Sequence, residues 1–358
     1  MLIYLFAIIS IPLYSIIFPN RKIFVGVVTL QLFLILALRD ITMGVDLGTY
    51  YDYYQRISQL SWPTLYSCLH FISRASAPVG LESGYALLNW LCAQAGLSYH
   101  GFLVVCAAFS VFPVGLFVYR YSDKPYLSFM LYIGLGCFFQ TFGILRQSVA
   151  LGILLFSIPF MLKRKWIFVL LITGIAYTFH RVALLWLPLY FLCNKRVTRL
   201  RCINILIGCL VAIPFVGVLS NTVLYPFLAL MDKGEYITQH TTTYNNLFTT
   251  MWVVLAFITF FENMQFFKNS RNNLTFWGLV LALMIEVFAF YNTTMARAAQ
   301  LLYIFIILLV PNIIKTYLLY SEIGLKRPYR SMLLRAGGGG TDCAFNDAIN
   351  LLFCVALS

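Results

Sequence analysis

Apolar residues in this chain run in long blocks. They show neither the short alternation of a half-buried strand nor the one-sided stripe of a surface helix. The blocks fall at 2–19, 23–38, 100–119, 126–142, 146–162, 166–180, 182–193, 202–219, 247–267, 274–291 and 300–319. A bilayer core needs about 20 apolar residues per helix, fewer where the ends snorkel. Each block therefore predicts one transmembrane helix, about eleven in all, within a range of about ten to twelve. The expected fold class is an all-α polytopic membrane protein with one transmembrane domain over 1–320 and a cytoplasmic tail over 321–358. A transmembrane barrel would show short alternating segments instead.

Composition agrees with the pattern. The chain has 358 residues, 61% hydrophobic and 10% charged, where a soluble domain carries about 25% charged residues; the mean hydropathy is +0.85. The net charge of +13 is no argument for nucleic acid, because basic residues in a polytopic protein mostly mark cytoplasmic loops. With the N-terminus outside, 18 of the 25 Lys and Arg fall on the inner side and 7 on the outer side. That asymmetry predicts N-out and C-in. The first block lacks a basic leader and a small-residue cleavage site, so it is expected to stay as a helix rather than leave as a signal peptide. The nine cysteines lie mostly inside apolar blocks without metal-ligand spacing and read as small core residues. No metal and no cofactor is expected.

The sidedness turns on one segment. Counting Glu82–Gly96 as a full span would move Arg164–Lys165 and Lys195–Arg201 outside, against the charge rule. It is therefore expected to be interfacial or re-entrant. Partial spans survive at membrane depth only when buried in protein or lining a wet cavity, which makes the segment a functional pointer. Two larger outer loops follow, about 39–99 and 220–246. The first opens with Arg39–Tyr54, a polar stretch read as a loop, with Arg39, Asp40, Asp46, Asp52 and the tyrosines Tyr50, Tyr51, Tyr53 and Tyr54. The second carries Asp232, Lys233 and Glu235.

On this topology the outer ends of separate helices collect Arg39, Asp46, Arg146, His180, Arg181 and Arg297. Arginines at outer helix ends oppose the positive-inside bias. Each pairs with a carboxylate or carbonyls, or binds an anionic ligand, for which the planar guanidinium is suited. Arg146 opens a helix, where the dipole also favours an anion, so Arg146 and Arg297 are the expected phosphate ligands, with Arg39, Arg181 and Tyr50 as further substrate contacts. His180 and Arg181 join two short blocks, and a tight hairpin there would project both. An imidazole at that place is a hydrogen-bonded structural residue or a general base; Asp46 and Glu82 compete for the base role. Asp46 stands between Gly44 and Gly48, where a turn aspartate is the plain alternative. Glu286, inside the 274–291 block, must face protein or water.

These residues carry a resemblance. Arg39-x4-Gly44-Val45-Asp46-x3-Tyr50, then Glu82-x2-Tyr85-x-Leu87-Leu88, Arg146-Gln147-x2-Ala150, Phe179-His180-x2-Ala183-Leu184 and Arg297-x5-Tyr303 with Pro311 resemble, in order, the Wzy/EpsG-type polysaccharide polymerases over about residues 1–320. Val45 stands where that pattern has threonine, and the end of the chain beyond Arg335, with the run Gly337–Gly340, departs from it. The resemblance implies an O-antigen, capsule or exopolysaccharide repeat-unit polymerase, a multi-pass glycosyltransferase of the bacterial inner membrane. It would transfer a growing glycan from undecaprenyl pyrophosphate to a new lipid-linked repeat unit on the periplasmic side. The implied partners are undecaprenyl-pyrophosphate-linked oligosaccharides, membrane lipids, a chain-length regulator and a flippase. The alternatives are a lipid-linked glycan ligase and a polysaccharide transporter or flippase; a transporter would line a mid-membrane path with charge, whereas here the charges gather at one face.

Overall fold

The computed structural model describes residues 2–41, 43–44, 46–68, 81–226, 246–261, 264–290 and 293–322. Val45, most of 220–246 with Asp232, Lys233 and Glu235, and the tail beyond 322 lie outside the described residues. Every described element is helical. Among the described residues four helices are long and apolar enough to cross a membrane, Tyr99–Tyr121, Arg199–Val223, Ser270–Ala289 and Met295–Thr316, and the bent pair Pro125–Gly134 and Cys137–Gly143 makes a fifth if it is one span. This is an all-α, multi-pass membrane architecture. The helices follow the predicted blocks in order, but several blocks are made of pieces. The 126–142 block divides into Pro125–Gly134 and Cys137–Gly143, with Gly136 left-handed between them. The 146–162 block divides into Leu145–Leu155 and Ile158–Leu162. The 182–193 block begins as a 3₁₀ helix, Arg181–Trp186, and continues as Leu187–Leu192.

Contacts gather the chain into two compact units. The first holds Met1–Arg120 and Gly136–Phe191; the second holds Tyr121–Leu135, Leu192–Phe227 and the residues from Glu235. Each is described by itself.

In the first unit, Asn20 starts the Arg21–Ala37 helix by accepting the Lys22 and Ile23 amides, which satisfies orphan donors of the first turn. Arg21 at that end donates from Nε to the Tyr119 carbonyl at 3.1 Å, near the end of Tyr99–Tyr121. The segment after Arg39 departs from a loop. It makes one turn and then forms the helix Leu47–Ser58. The physical reason is the spacing of Leu47, Tyr50, Tyr54 and Ile57, which puts all four on one buried face while polar residues take the other. That face packs on Tyr85, Tyr99 and Phe102. Three hydrogen bonds fasten the layer: Tyr99 Oη to Leu47 O at 2.9 Å, Tyr54 Oη to Leu97 O at 2.6 Å and Trp90 Nε1 to Leu60 O at 2.9 Å. The doubtful segment of the sequence is the helix Ser83–Gln94, 12 residues long. At 1.5 Å per residue it reaches about 18 Å, short of a core about 30 Å thick.

In the second unit, Ser270–Ala289 is the central helix and is buried over most of its length. Glu286 is fully buried within it, in protein as expected of a carboxylate there. Around Asn312 a set of amides and hydroxyls ties helix ends together, and Asp123 lies 3.6 Å from Lys315 Nζ and 3.9 Å from Arg271 Nη2.

Candidate active site

Three elements of the first unit bring their ends together. Glu82 has extended backbone immediately before Ser83–Gln94, and its carboxylate makes no capping bond to that helix. It turns instead toward Arg146 and His180. The Gly84 amide donates to the Thr178 carbonyl at 2.8 Å, so the first turn of this helix lies directly on the end of Trp166–Tyr177. A Cβ at position 84 would stand 2.2 Å from Thr178 Oγ1, and only glycine lets the backbones approach this closely.

Arg146 is the second residue of Leu145–Leu155. A cation at a helix N-terminus meets the wrong end of the dipole and needs an anion beside it. Here Arg146 Nη1 lies 2.5 Å from Glu82 Oε2, with the two side chains 17% and 3% exposed. A carboxylate this deeply buried stays charged only when it is paired. Arg146 Nε also donates to Tyr50 Oη at 3.3 Å, and Cζ sits 5.5 Å from the centre of the Tyr50 ring.

His180 has extended backbone between Trp166–Tyr177 and Arg181–Trp186. Its amide is held by the Ala176 carbonyl at 2.9 Å, and its carbonyl takes the Ala183 amide at 3.0 Å. The imidazole Nδ1 stands 3.7 Å from Glu82 Oε1, beyond ordinary hydrogen-bond length. One carboxylate thus faces two bases, one oxygen directed to each.

The residues that converge here, Tyr50, Glu82, Arg146 and His180, are part of the set on which the resemblance rested, and a comparison of the whole chain shows the family: the EpsG family model matches residues 22–324. The chain belongs to the EpsG family. No curated protein and no solved structure matches it. The matched range takes in every candidate site residue named above.

The remaining candidates of this EpsG-family chain are placed as follows. Tyr50 joins the cluster through Arg146. Burial pushes its phenol above the ordinary value, Arg146 opposes the rise, and Asp46 and Glu82 add to it. The phenol is therefore neutral at physiological pH and serves as a hydrogen-bonding group, not as a base. Asp46 is the half-buried N-cap of Leu47–Ser58. Its carbonyl takes the Tyr50 amide at 3.1 Å, while its side chain makes no capping bond. Of its two flanking glycines only Gly44 is demanded by the turn: it has φ +152°, and a Cβ there would meet the Phe142 carbonyl at 2.4 Å. Gly48 lies inside the helix with open space around it.

Arg39 is buried and donates from Nη1 to the Thr141 carbonyl at 2.9 Å, with Cζ 5.5 Å from the Phe142 ring centre. It stands with Asp40 and Gln31 among the lining of a groove of about 490 Å³ whose walls are otherwise mostly apolar side chains such as Phe6, Leu30, Leu34 and Phe142. Arg181 is buried beside His180. Arg297 belongs to the second unit, where it is exposed on Thr293–Gln300.

Two positions escaped the sequence reading. Nothing local marks Gly84 or Thr178, because their importance lies in a backbone approach between segments far apart in the chain. The pairing of Glu82 with Arg146 was open to the sequence only as one choice among several carboxylates.

Proposed function

We propose that this EpsG-family protein is a repeat-unit polymerase of the O-antigen, capsule or exopolysaccharide kind. It transfers a growing glycan from undecaprenyl pyrophosphate to the non-reducing end of a new lipid-linked unit, at the periplasmic side of a bacterial inner membrane. The observation that carries the reading is the convergence of Arg146, Glu82 and His180 in a member of this family. A guanidinium suits an anionic leaving group, and an imidazole beside a carboxylate suits a proton acceptor.

The chemistry follows from those roles. The acceptor hydroxyl oxygen bonds to the anomeric carbon of the donor glycan, and its proton passes to His180. The bond from that carbon to the pyrophosphate oxygen breaks, and its electron pair leaves with the diphosphate. Arg146 counters the charge that grows on the departing group; we assign Arg39 to anionic substrate as well, and Arg297, in the second unit, to an anionic substrate group. The groove beside Arg39 suits the prenyl chain, being lined mostly by apolar side chains with a guanidinium among them.

The sidedness we propose is N-out and C-in, with about eleven spans and the loops about 39–99 and 220–246 outside. The choice of side rests on the charge asymmetry, and the alternation of the spans is consistent with the way helix ends assort within each unit. Arg21 meets the Tyr119 carbonyl and Tyr190 meets the Arg164 carbonyl, all at ends assigned to the cytoplasm. Glu82, Arg146 and His180 meet at ends assigned to the outside. In the second unit Asp123, Arg271 and Lys315, assigned inside, lie together.

The test is a glycan ladder from cells lacking this chain, with the gene restored in wild-type and altered form. Wild type restores long polymer. His180→Ala leaves single repeat units on the acceptor, whereas His100→Ala supports normal length. Loss of all attached glycan, single units included, would identify a lipid-linked glycan ligase instead. Normal polymer from His180→Ala and Arg146→Met together would overturn the site. A cysteine placed at position 46 is expected to label from the outside only.

A further inference from the structure

The geometry around Glu82 points to a device within the site, and this inference rests on the proposed role of Arg146 as a pyrophosphate ligand. The carboxylate is shared unequally. Oε2 is 2.5 Å from Arg146 Nη1, while Oε1 is 3.7 Å from His180 Nδ1. The first is a full ion pair; the second is too long for a hydrogen bond but close enough for charge to be felt. Arg146 holds its carboxylate at the position where an incoming pyrophosphate must bind. An anion that takes this guanidinium competes with Glu82 for the same N–H donors, and it brings more negative charge than one carboxylate.

We propose that Glu82 is a positioning residue that passes from Arg146 to His180 when pyrophosphate engages Arg146. Closing the remaining gap by about 1 Å turns a loose contact into a hydrogen-bonded carboxylate–imidazole pair. That pair fixes the imidazole with Nδ1–H toward Glu82 and leaves Nε2 as the proton acceptor. It also favours the imidazolium that forms when the acceptor hydroxyl gives up its proton. The base therefore becomes competent when the leaving group is in place.

The charged and titratable groups facing His180 fit this assignment. From the start of Ser83–Gln94 comes Glu82, and from Leu145–Leu155 comes Arg146. Tyr50 belongs to the surroundings of Arg146, and Asp46 to those of Tyr50; Arg181 is next along the chain. Glu82 is the one among them placed between the cation and the imidazole. Gly84 makes the exchange possible mechanically. Its amide is fixed to Thr178, two residues before His180, so the carboxylate needs only a side-chain rotation, with no movement of its helix.

The experiment uses full-length protein in nanodiscs with ¹⁵N-histidine, the His180 signals being assigned from their loss in His180→Asn. The imidazole is titrated with and without inorganic pyrophosphate, and pyrophosphate binding is measured separately by equilibrium dialysis. In wild type, saturating pyrophosphate is expected to raise the His180 midpoint by about one pH unit, tenfold in proton affinity. A direct effect of the anion's own charge would persist in Glu82→Gln. Exchange requires that this variant bind pyrophosphate but show less than a third of the wild-type shift. Glu82→Asp keeps the charge on a side chain one methylene shorter and is expected to lose most of the shift as well, which covers the case in which Glu82→Gln fails to fold. A wild-type midpoint that stays put while pyrophosphate binds, or a full shift in Glu82→Gln or Glu82→Asp, overturns the exchange yet leaves Arg146 as a pyrophosphate ligand. Absence of binding, or binding undiminished in Arg146→Met, overturns the underlying reading and the exchange with it.

Discussion

Among the described residues, two of the polar clusters in the apolar interior are built on different principles. In the first unit, Glu82, Arg146 and His180 are side chains facing side chains, with Glu82 and Arg146 in a charge pair that is 3% and 17% exposed. In the second unit, the cluster around Asn312 joins side chains mainly to backbone, although Asn312 Nδ2 also donates to Asn272 Oδ1 at 3.4 Å and Ser128 to the Ser122 hydroxyl at 2.7 Å. Asn312 Oδ1 takes the Asp123 amide at 2.7 Å, its Nδ2 donates to the Tyr121 carbonyl at 3.3 Å, and the Ser128 hydroxyl donates to the Ile307 carbonyl at 2.6 Å. Its charges, Asp123, Arg271 and Lys315, lie at the rim and are 24%, 33% and 42% exposed. The second cluster satisfies backbone groups that lack a helical partner, at the end of Tyr99–Tyr121 and opposite Pro311, and such groups must be satisfied away from water. The first leaves its helices to hold themselves and concentrates charge where it is costly. Buried charge set against buried charge is more common at functional sites than elsewhere.

The largest effect should come from separating the charge pair. Arg146→Met leaves Glu82 buried without its cation, and breaking such a pair costs about 3–5 kcal/mol. Membrane-inserted protein should fall sharply, and long polymer should vanish. The double variant Glu82→Gln with Arg146→Met removes both charges and should recover most of the protein level. Polymer should stay absent. Recovery of both protein and polymer would make the first cluster structural like the second, and the contrast would dissolve.

Next in size is Asn312→Ala. It strips partners from the Asp123 amide and the Tyr121 carbonyl, and an orphaned buried polar group costs about 1–3 kcal/mol. Thermal unfolding in detergent should move down while the surviving protein makes polymer of normal length. Shortened chains at equal protein level would show that this cluster also serves the chemistry.

How much of this could be read from the chain alone differs between the two scales. Block order was legible because a bilayer imposes a length and a polarity on every span. The breaks within blocks were less so. Gly136 marks one of them, but a glycine inside an apolar run is also compatible with an unbroken span. The helix Leu47–Ser58 was hidden by its composition: aspartate, glycine and four tyrosines suggest a turn, yet Leu47, Tyr50, Tyr54 and Ile57 keep helical spacing and bury one face. Charge counting grouped Arg146 and His180 on one side. It carried no distances, so it could not select Glu82 over Asp46 as their neighbour. That choice is made by Gly84 against Thr178, a contact between segments that share no local pattern.

Gly84→Ala tests that contact with a smaller expected effect. The new methyl group would collide with Thr178 Oγ1 at 2.2 Å and Cβ at 2.9 Å, so the helix start must shift, at about 1–3 kcal/mol for an overpacked contact. The loss should fall more on polymer length than on protein level, because Glu82 is carried by this turn. Thr178→Ala in the same chain removes the nearest atom and should restore part of the polymer. Polymer unchanged by Gly84→Ala would remove the close approach from the account of the first cluster.

The smallest effect should come from Asp123→Asn. The carboxylate pairs with Lys315 at 3.6 Å and Arg271 at 3.9 Å, but all three side chains are partly in water. Exposed pairs contribute about 0–1 kcal/mol and weaken further with salt. The bond that matters at this residue is its backbone amide to Asn312, which the substitution keeps. Orientation should hold as well, since acidic residues add little to the positive-inside bias. The variant should therefore unfold within about 1 kcal/mol of wild type, at low and high salt alike, and give a normal ladder. A loss of several kcal/mol would mean that the second unit too depends on charge, and a cluster of ion pairs could no longer be told from a cluster of caps by exposure alone.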